Sequence, residues 1–399
     1  MELVAEDQLA PRAAQGRVEA TAADAGLLGP QRFDFTGTGA EYFRIWVVNL
    51  LLTFATFGIY SAWAKVRRLQ YFYRNTRVAG AIFDYHGKPL AILKGRLLAL
   101  VLLGAYKIAS DVSFTAAVMV VLILALVMPW LLARAFHFKL INSSYRGLRF
   151  HFRGTVGDAY RMLILFPITL AFVGLFVWSL ATSFSSRPGI GLIFLIIGLP
   201  LVAFAITVPL AHYLLKRYQH DNADFGLSPF FFHARTRDFF KIYAKAIGIF
   251  ILSIVPGLIF IGKISGVYSF FSNNPFAWLF GWLFGMLYSY AFYFFVRAYM
   301  ESRTQNLVWQ NTELAGHRFE CAVRARRLMW IHASNLMLIV LTLGLYKPFA
   351  TVRLVKYRVE SMALVPDGDL EEFLADLSPD NAGAIGQEAG DLFDIDIAL

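Results

Sequence analysis

The sequence predicts an all-α, polytopic membrane protein with internal repeats, and three observations carry that prediction. The 399-residue chain is 58% hydrophobic and only 16% charged, against about 25% charged in ordinary soluble domains, and its mean hydropathy is +0.55. A polar joint recurs between its apolar runs. Basic residues gather in four of the segments that separate those runs and almost avoid the others.

The joint is clearest at Asn75-Thr76 with Gly80, Phe83, Tyr85 and Gly87. Asn142-Ser143 with Gly147, Phe150, Phe152 and Gly154 repeats it at an offset of 67, and Asn311-Thr312 with Gly316 and Phe319 at 236. Asn222 with Phe230, Phe232 and His233 repeats it at 147, although Gly226 falls one place early. Repeats of this kind decide the architecture before any single element is read. Asn bonds its own backbone in Asx-type turns, and a Gly followed by alternating aromatics reads as a turn into a strand. The expectation is a set of short cytoplasmic β-turn and strand motifs between helical units, paired so that no edge is bare. An offset of 286 superposes Phe33 on Phe319, Ile45 on Ile331, Asn49 on Asn335, Gly58 on Gly344, Tyr60 on Tyr346 and Arg67 on Arg353. The last unit therefore repeats the first.

In chain order, residues 1–32 form a disordered tail with no apolar core of the kind a signal peptide needs. Residues 33–363 form the membrane domain, in five units at 33–76, 83–143, 150–223, 230–312 and 319–361. The apolar runs fall near 45–64, 97–109, 114–136, 163–183, 190–215, 246–261, 276–296 and 331–348. Segments 65–96, 134–161, 216–245 and 297–327 hold eight, six, six and six basic residues. The positive-inside rule puts them in the cytoplasm. The runs between them pair as three hairpins of six full transmembrane helices. The first and last runs are broken at Thr56-Phe57-Gly58 and at Thr342-Leu343-Gly344, and read as two re-entrant terminal hairpins, with both tails cytoplasmic. The alternative is eight simple crossings. Residues 364–399 form an acidic tail, in which Leu370, Phe373, Leu374 and Leu377 mark either a short amphipathic helix or a solvated stretch.

Charge and cysteine content exclude several classes. Cys321 is the only cysteine, so neither an internal disulfide nor a thiolate zinc site is available. Between residues 45 and 358 there are 33 basic and 9 acidic residues, a balance that suits anionic lipid. The interleaving of these cations with apolar runs speaks against nucleic acid. The eight His show no metal-ligand spacing, and Ser143-Ser144 has no neighbouring base, so no enzyme and no cofactor is expected.

The candidate pathway or break residues are Asn49, Gly58, Tyr60, Asn335, Gly344, Tyr346, Pro348 and Lys107. Buried amides beside a broken helix can satisfy freed backbone groups or line a cavity; the plainer reading is a helix–helix hydrogen bond. Gly58 and Gly344 suit positive φ, and Pro348 cannot continue a helical ladder. Lys107 reads as a snorkelling cation. Arg67, Arg68, Arg353 and Lys356, where the runs emerge, are candidate contacts for anionic lipid. Asn75, Gly80, Phe83, Asn142, Gly147, Phe150, Asn222, Phe230, Asn311, Gly316 and Phe319 form the repeated joint and are expected to be structural.

The run F-D-F-T-G-T-G-A-E-Y-F-R-I-W-V-V-N-L-L-L-T from Phe33, its continuation through Thr76, and N-L-M-L-I-V-L-T-L-G-L-Y-K-P-F-A-T-V-R from Asn335 resemble the YjgN-like family of bacterial inner-membrane proteins. The likeness covers roughly 33–363. It implies a multi-pass protein of the bacterial inner membrane and carries no catalytic residues. On this basis the expected function is transport- or channel-like, with a polar site near the broken terminal hairpins. The alternative is a scaffold that organises anionic lipids, with a homo-oligomer as a further partner state.

Overall fold

Every copy of the joint folds in the same way. A helix returning to the basic side ends on Asn75, Asn142, Asn222 or Asn311, and each amide donates to the carbonyl four residues earlier: Tyr71, Phe138, Tyr218 and Leu307, at 2.7–2.9 Å. In the fifth unit Ser361 makes the equivalent bond to Tyr357, at 2.6 Å. The side chain satisfies one of the carbonyls that a helix end leaves without a partner. Replacing Asn142 by Ala is expected to cost about 1 kcal/mol, measurable as a lower unfolding midpoint in detergent.

The computed structural model describes residues 29–165, 168–169, 171–174, 176, 190–266 and 275–368. The tail at 1–28, most of the run expected at 163–183 and the acidic stretch with Leu370 and Phe373 lie outside them. The described chain runs β1 (Gln31–Arg32), β2 (Asp34–Phe35), α1 (Gly39–Ala55), α2 (Ser61–Arg74), β3 (Thr76–Val78), β4 (Ala81–Tyr85), α3 (Pro89–Val112) and α4 (Phe114–Ile141). It continues with β5 (Ser143–Tyr145), β6 (Leu148–Phe152), α5 (Val156–Leu163), α6 (Ile190–Asp221), β7 (Ala223–Phe225), β8 (Ser228–Phe232), α7 (Thr236–Gly266) and α8 (Pro275–Gln310). The last elements are β9 (Thr312–Leu314), β10 (His317–Cys321), α9 (Ala325–Leu341), α10 (Lys347–Glu360) and β11 (Met362–Val365).

After each cap the chain makes a short strand, a two-residue turn and a second strand. Ala79-Gly80, Arg146-Gly147 and Ala315-Gly316 have positive φ at both turn positions, the type I′ geometry that matches the twist of a hairpin. At Gly226-Leu227 only the first residue has positive φ. That is type II′, which wants Gly first, and it explains why the glycine of that copy sits one place early.

The hairpins do not stay separate. Strands of successive units pair antiparallel, giving one 11-stranded sheet in the order β1-β11-β10-β9-β8-β7-β6-β5-β4-β3-β2. Its two ends, β1 and β2, are joined by the single residue Phe33. Two edges held one residue apart force the sheet to curl until it closes, which removes its edges. At five equivalent places a backbone N–H closes its unit, bonding from the start of the unit to the cap that ends it: Thr36 to Asn75, His86 to Asn142, Arg153 to Asn222, His233 to Asn311 and Ala322 to Ser361, at 2.8–3.0 Å.

This architecture corrects the expected fold class. The chain is not all-α with short strand motifs, because those motifs add up to a continuous near-barrel sheet. The expected six full transmembrane helices with two re-entrant terminal hairpins, and the alternative of eight simple crossings, are not met either. Among the described residues three helices are long and apolar enough to cross a membrane: Pro89–Val112, Phe114–Ile141 and Gly198–Asp221. The helices of the first and last units, of 17 and 14 residues each, fall short of the roughly 20 that a crossing needs.

Glycines position the outgoing helices. A Cβ on Gly37 or Gly154 would lie 2.8 or 2.6 Å from the ring two residues earlier, Phe35 or Phe152. The aromatic therefore folds back over the glycine as the chain leaves the sheet. Thr38 and Thr155 then open their helices with capping boxes to Glu41 and Asp158, each satisfying two backbone donors. Tyr71 and Tyr218, on the returning helices of the same units, donate to the carbonyls of Thr38 and Thr155 at 2.8 and 3.0 Å. Burial and the nearby Glu41 carboxylate push the Tyr71 hydroxyl up to about 12, so it stays a donor.

Candidate functional site

The curled sheet encloses side chains that the repeat places in layers. Phe33, Phe83, Phe150, Phe230 and Phe319 occupy one repeat position, one per unit, and all five line a central cavity of about 770 Å³. Phe33 stacks on Phe83 with ring centroids 6.3 Å apart, and Phe230 lies 6.4 Å from both Phe150 and Phe319. Tyr145 and Phe225 bridge the remaining gap: Phe83–Tyr145 is 4.8 Å, Tyr145–Phe225 5.9 Å and Phe225–Phe150 5.0 Å. A second layer, Val78, Tyr145, Phe225, Leu314 and Leu364, is buried to 8% exposure or less. Strand alternation puts these two sets on one face.

Above the aromatic layers the cavity meets the returning helices. Phe72, Lys139, Gln219, Val308 and Arg358 each lie three residues before the helix cap, and all five line the cavity. Lys216 and Gln305 line it one turn further back. Cations are favoured here because the helix dipole presents its negative end. Lys216 donates to Gln219 at 3.2 Å and Arg358 to Gln305 at 2.6 Å. Among the described residues no carboxylate pairs with Lys139, Lys216 or Arg358. Glu301 also lines the cavity, but Arg297 at 2.7 Å and His332 at 3.0 Å already engage it. The result is a collar with three uncompensated positive charges over an aromatic well. Cavities of this size hold drug-sized molecules, and this lining suits an anion with an apolar body.

Outside the barrel a second repeated position ties the units together. His86 bonds Ser144 at 2.8 Å, Arg153 pairs with Asp224 at 2.6 Å, and His233 meets Glu313 at 3.2 Å. Burial holds the Asp224 carboxyl above its ordinary range in spite of Arg153. At Asp84, burial is outweighed by Arg74 and the Tyr85 N–H, and the carboxyl is held low. No group of three His, Cys, Asp or Glu among the described residues could hold a metal ion.

The other candidates from the sequence lie away from the cavity. Asn335 is buried, donates to the Ala350 carbonyl at 3.1 Å and accepts from Arg353 at 3.3 Å. Asn49 is buried, and its side-chain oxygen has no hydrogen-bond partner among the described residues. Gly58 and Gly344 turn the short hairpins with φ of 93° and 94°. The freed backbone there is satisfied by Thr56 and Thr342, each accepting from the Tyr60 or Tyr346 N–H at 2.9 Å. Gly344→Val has open space around it but forces a β-branched residue into positive φ. It should cost about 1–3 kcal/mol, seen as a lower unfolding midpoint in detergent, while Gly344→Asn should recover most of that loss. Tyr60 accepts from Arg67 at 3.1 Å, Tyr346 stacks on Phe349 at 5.6 Å, and Pro348 is buried in the first turn of α10. Lys107 pairs with Asp111 on an exposed face, Arg68 lies 6.0 Å from the Phe72 ring, and Lys356 is 3.5 Å from Glu360.

The repeated phenylalanines, expected to be structural, thus also form the floor of the cavity. Lys139, Lys216 and Arg358 were not singled out from the sequence. Their signal was available, because each is a cation three or six residues before a cap residue of the joint.

Comparison with known proteins agrees with the membrane reading. The model of a bacterial protein family of unknown function, DUF898, matches residues 30–392. An inner membrane protein YjgN of Salmonella typhimurium strain LT2 is 24% identical over 375 residues, covering 86% of this chain and 91% of its own. The protein of the same name from Escherichia coli K12 is 30% identical over 146 residues, 35% of each chain. That of Escherichia coli O157:H7 is 28% identical over 209 residues, 50% of this chain and 51% of its own. No solved structure matches the chain.

Proposed function

The chain belongs to the DUF898 family of bacterial proteins, and we propose that it is a transport-like protein of the inner membrane that takes an anionic, partly apolar ligand into the axial cavity. The relatives' names and three membrane-length helices support the inner-membrane part. The observation that carries the rest is the pairing of three uncompensated cations, Lys139, Lys216 and Arg358, with a floor of five phenylalanines in one cavity. An ammonium or guanidinium group at the end of a largely apolar space favours an anionic head more than the same group does in water. Aromatic rings below it give an acyl or ring-bearing body a place out of water.

In this reading the five units are copies of one ancestral element and the cavity lies on their common axis. The sheet faces the cytoplasm, where the four basic segments belong, and both tails leave on that side. The earlier expectation of a polar site beside the broken hairpins moves to the barrel mouth, because the cavity lies there. Arg67 and Arg68, on the exposed side of α2, suit headgroup contacts that hold the protein at the membrane surface. The reading is one of binding and passage and invokes no reaction.

The test is equilibrium binding to the purified full chain of dihexanoylphosphatidylglycerol, which dissolves as a monomer, against dihexanoylphosphatidylcholine. Preference for the anionic lipid by about tenfold or more is expected from one or two charge-assisted contacts. Equal binding of the two lipids, or none, would rule the reading out.

A further inference from the structure

The five outgoing helices start from equivalent positions, two residues after Gly37, Gly87, Gly154, Ala234 and Val323, yet among the described residues those of the first and last units are shorter than those of the second and fourth. The 17 residues of α1 and of α9 extend about 26 Å at 1.5 Å per residue. The 24 residues of α3 reach about 36 Å and the 31 of α7 about 46 Å on the same measure. Among the returning helices, α2 and α10 have 14 residues, whereas α4 has 28 and α8 has 36. Among the described residues the hairpins of the first and last units are therefore low beside those of the second and fourth.

The first and last units are neighbours. Phe43 of α1 meets Phe349 of α10 with centroids 5.6 Å apart, and β1 pairs with β11. The gap is thus one continuous notch. Its crest is apolar and bare, with Phe54 84%, Phe57 98%, Leu341 66% and Leu343 94% exposed. Its foot is the cavity wall, since Phe72 of α2 and Arg358 and Val359 of α10 line the cavity. A crest of exposed Phe and Leu marks a contact surface, and in a protein of the membrane the acyl chains of lipid suit it. An apolar crest above a cationic collar matches the two ends of a phospholipid.

We propose that the notch over the first and last units is a lateral portal, through which an anionic phospholipid of the bilayer presents its phosphate to Lys139, Lys216 and Arg358. Its acyl chains pass over the crest between Phe57 and Leu343 and stay in the membrane. This rests on the anionic-ligand reading of the cavity and adds to it the ligand class and the route.

Two measurements on the full chain test it. In the first, the variant Phe57→Lys/Leu343→Lys and the unaltered protein are reconstituted in phosphatidylcholine and exposed briefly to vesicles bearing long-chain phosphatidylglycerol. Retained lipid is then read by native mass spectrometry. A lysine on the crest must be dragged through hydrocarbon, so loading should slow by about tenfold or more, while binding of soluble dihexanoylphosphatidylglycerol stays unchanged. Unchanged loading overturns the portal and leaves the cavity reading intact. Failure of the soluble lipid to bind the unaltered protein removes both. The second measurement compares a fluorophore at Leu343→Cys with one at Val112→Cys, the end of α3, each in a Cys321→Ser chain. Nitroxide at the acyl chain terminus should quench the first more strongly, and nitroxide on the headgroup the second. Equal depth for the two labels means there is no notch, and the portal falls with it.

Discussion

Replacing Lys139, Lys216 and Arg358 together by glutamine is expected to weaken binding of dihexanoylphosphatidylglycerol by about 100-fold, with little change for dihexanoylphosphatidylcholine. The magnitude follows from counting contacts. Each cation offers one charge-assisted bond, and such a bond contributes roughly 1 kcal/mol or more when partly shielded from water. Three of them give about 3 kcal/mol, or two decades of affinity. The substitution also relieves a cost, because three like charges sit in one cavity whose lining carboxylate, Glu301, is engaged by Arg297 and His332. The variant should therefore unfold at the same temperature or slightly higher without ligand. That combination separates a binding collar from a structural one. If the cations only held the helix ends in place, stability would fall with affinity. Single variants should divide unevenly. Arg358 already shares its guanidinium with Gln305 at 2.6 Å, which orients it for a bidentate contact, so Arg358→Gln should have the largest single effect. Arg358→Lys, which keeps the charge but not the fork, should recover only part of the affinity.

Some of this architecture was legible in the sequence. The residues that share one offset within each copy, starting at Asn75, Asn142, Asn222 and Asn311, marked the joint, and the Gly that follows marked the turn. Both readings rest on local chemistry, namely an amide bonding its own helix end and a backbone at positive φ. The sheet was less legible. Its strands are two to five residues long, and partners such as Tyr85 and Ser143 are separated by a complete helical hairpin. Nothing in a five-residue window says that Phe33 will close a ring with residues 330 positions away. Sheet closure is a property of the count of units, and it emerged only when β1 and β2 fell at opposite ends of one strand order. The cavity was hidden for the same reason. Lys139, Lys216 and Arg358 look like run-end anchors one at a time, and only the near-fivefold arrangement turns them toward a common axis. Asn49 and Asn335 stand out in the sequence as amides inside apolar runs. The backbone at the breaks instead uses Thr56 and Thr342, whose hydroxyls reach both a carbonyl and an N–H of the same turn.

Gly154→Val is expected to destabilise the chain by about 3 kcal/mol, and adding Phe152→Cys should return most of that loss. The argument starts from geometry. Gly154 sits where the chain leaves β6, and a Cβ there would lie 2.6 Å from Phe152 and 3.0 Å from Tyr218. Neither ring can yield easily. Phe152 is packed edge-on against Tyr218 at 5.3 Å, and Phe136 closes the other side at 5.9 Å. Tyr218 is fully buried and anchored through its hydroxyl to the Thr155 carbonyl at 3.0 Å. A valine must therefore push a core aromatic off its rotamer or shift the helix that starts at Val156, and overpacking of that kind costs about 1–3 kcal/mol or more. The rescue is written in the protein's own repeat. The fourth unit has Phe232 with Ala234, and the fifth has Cys321 with Val323, all four buried. The fourth unit keeps its phenylalanine under an alanine, and only in the fifth, where the residue two places on is the branched Val323, is the ring replaced by the small Cys321. Phe152→Cys alone should open a cavity and cost about 2–4 kcal/mol, so the two changes are expected to be strongly non-additive, with a coupling of about 4 kcal/mol or more in a double-mutant cycle. Additive losses would mean that the five positions share a sequence register but not a common packing. Thermal unfolding of the four variants in one detergent decides between the two.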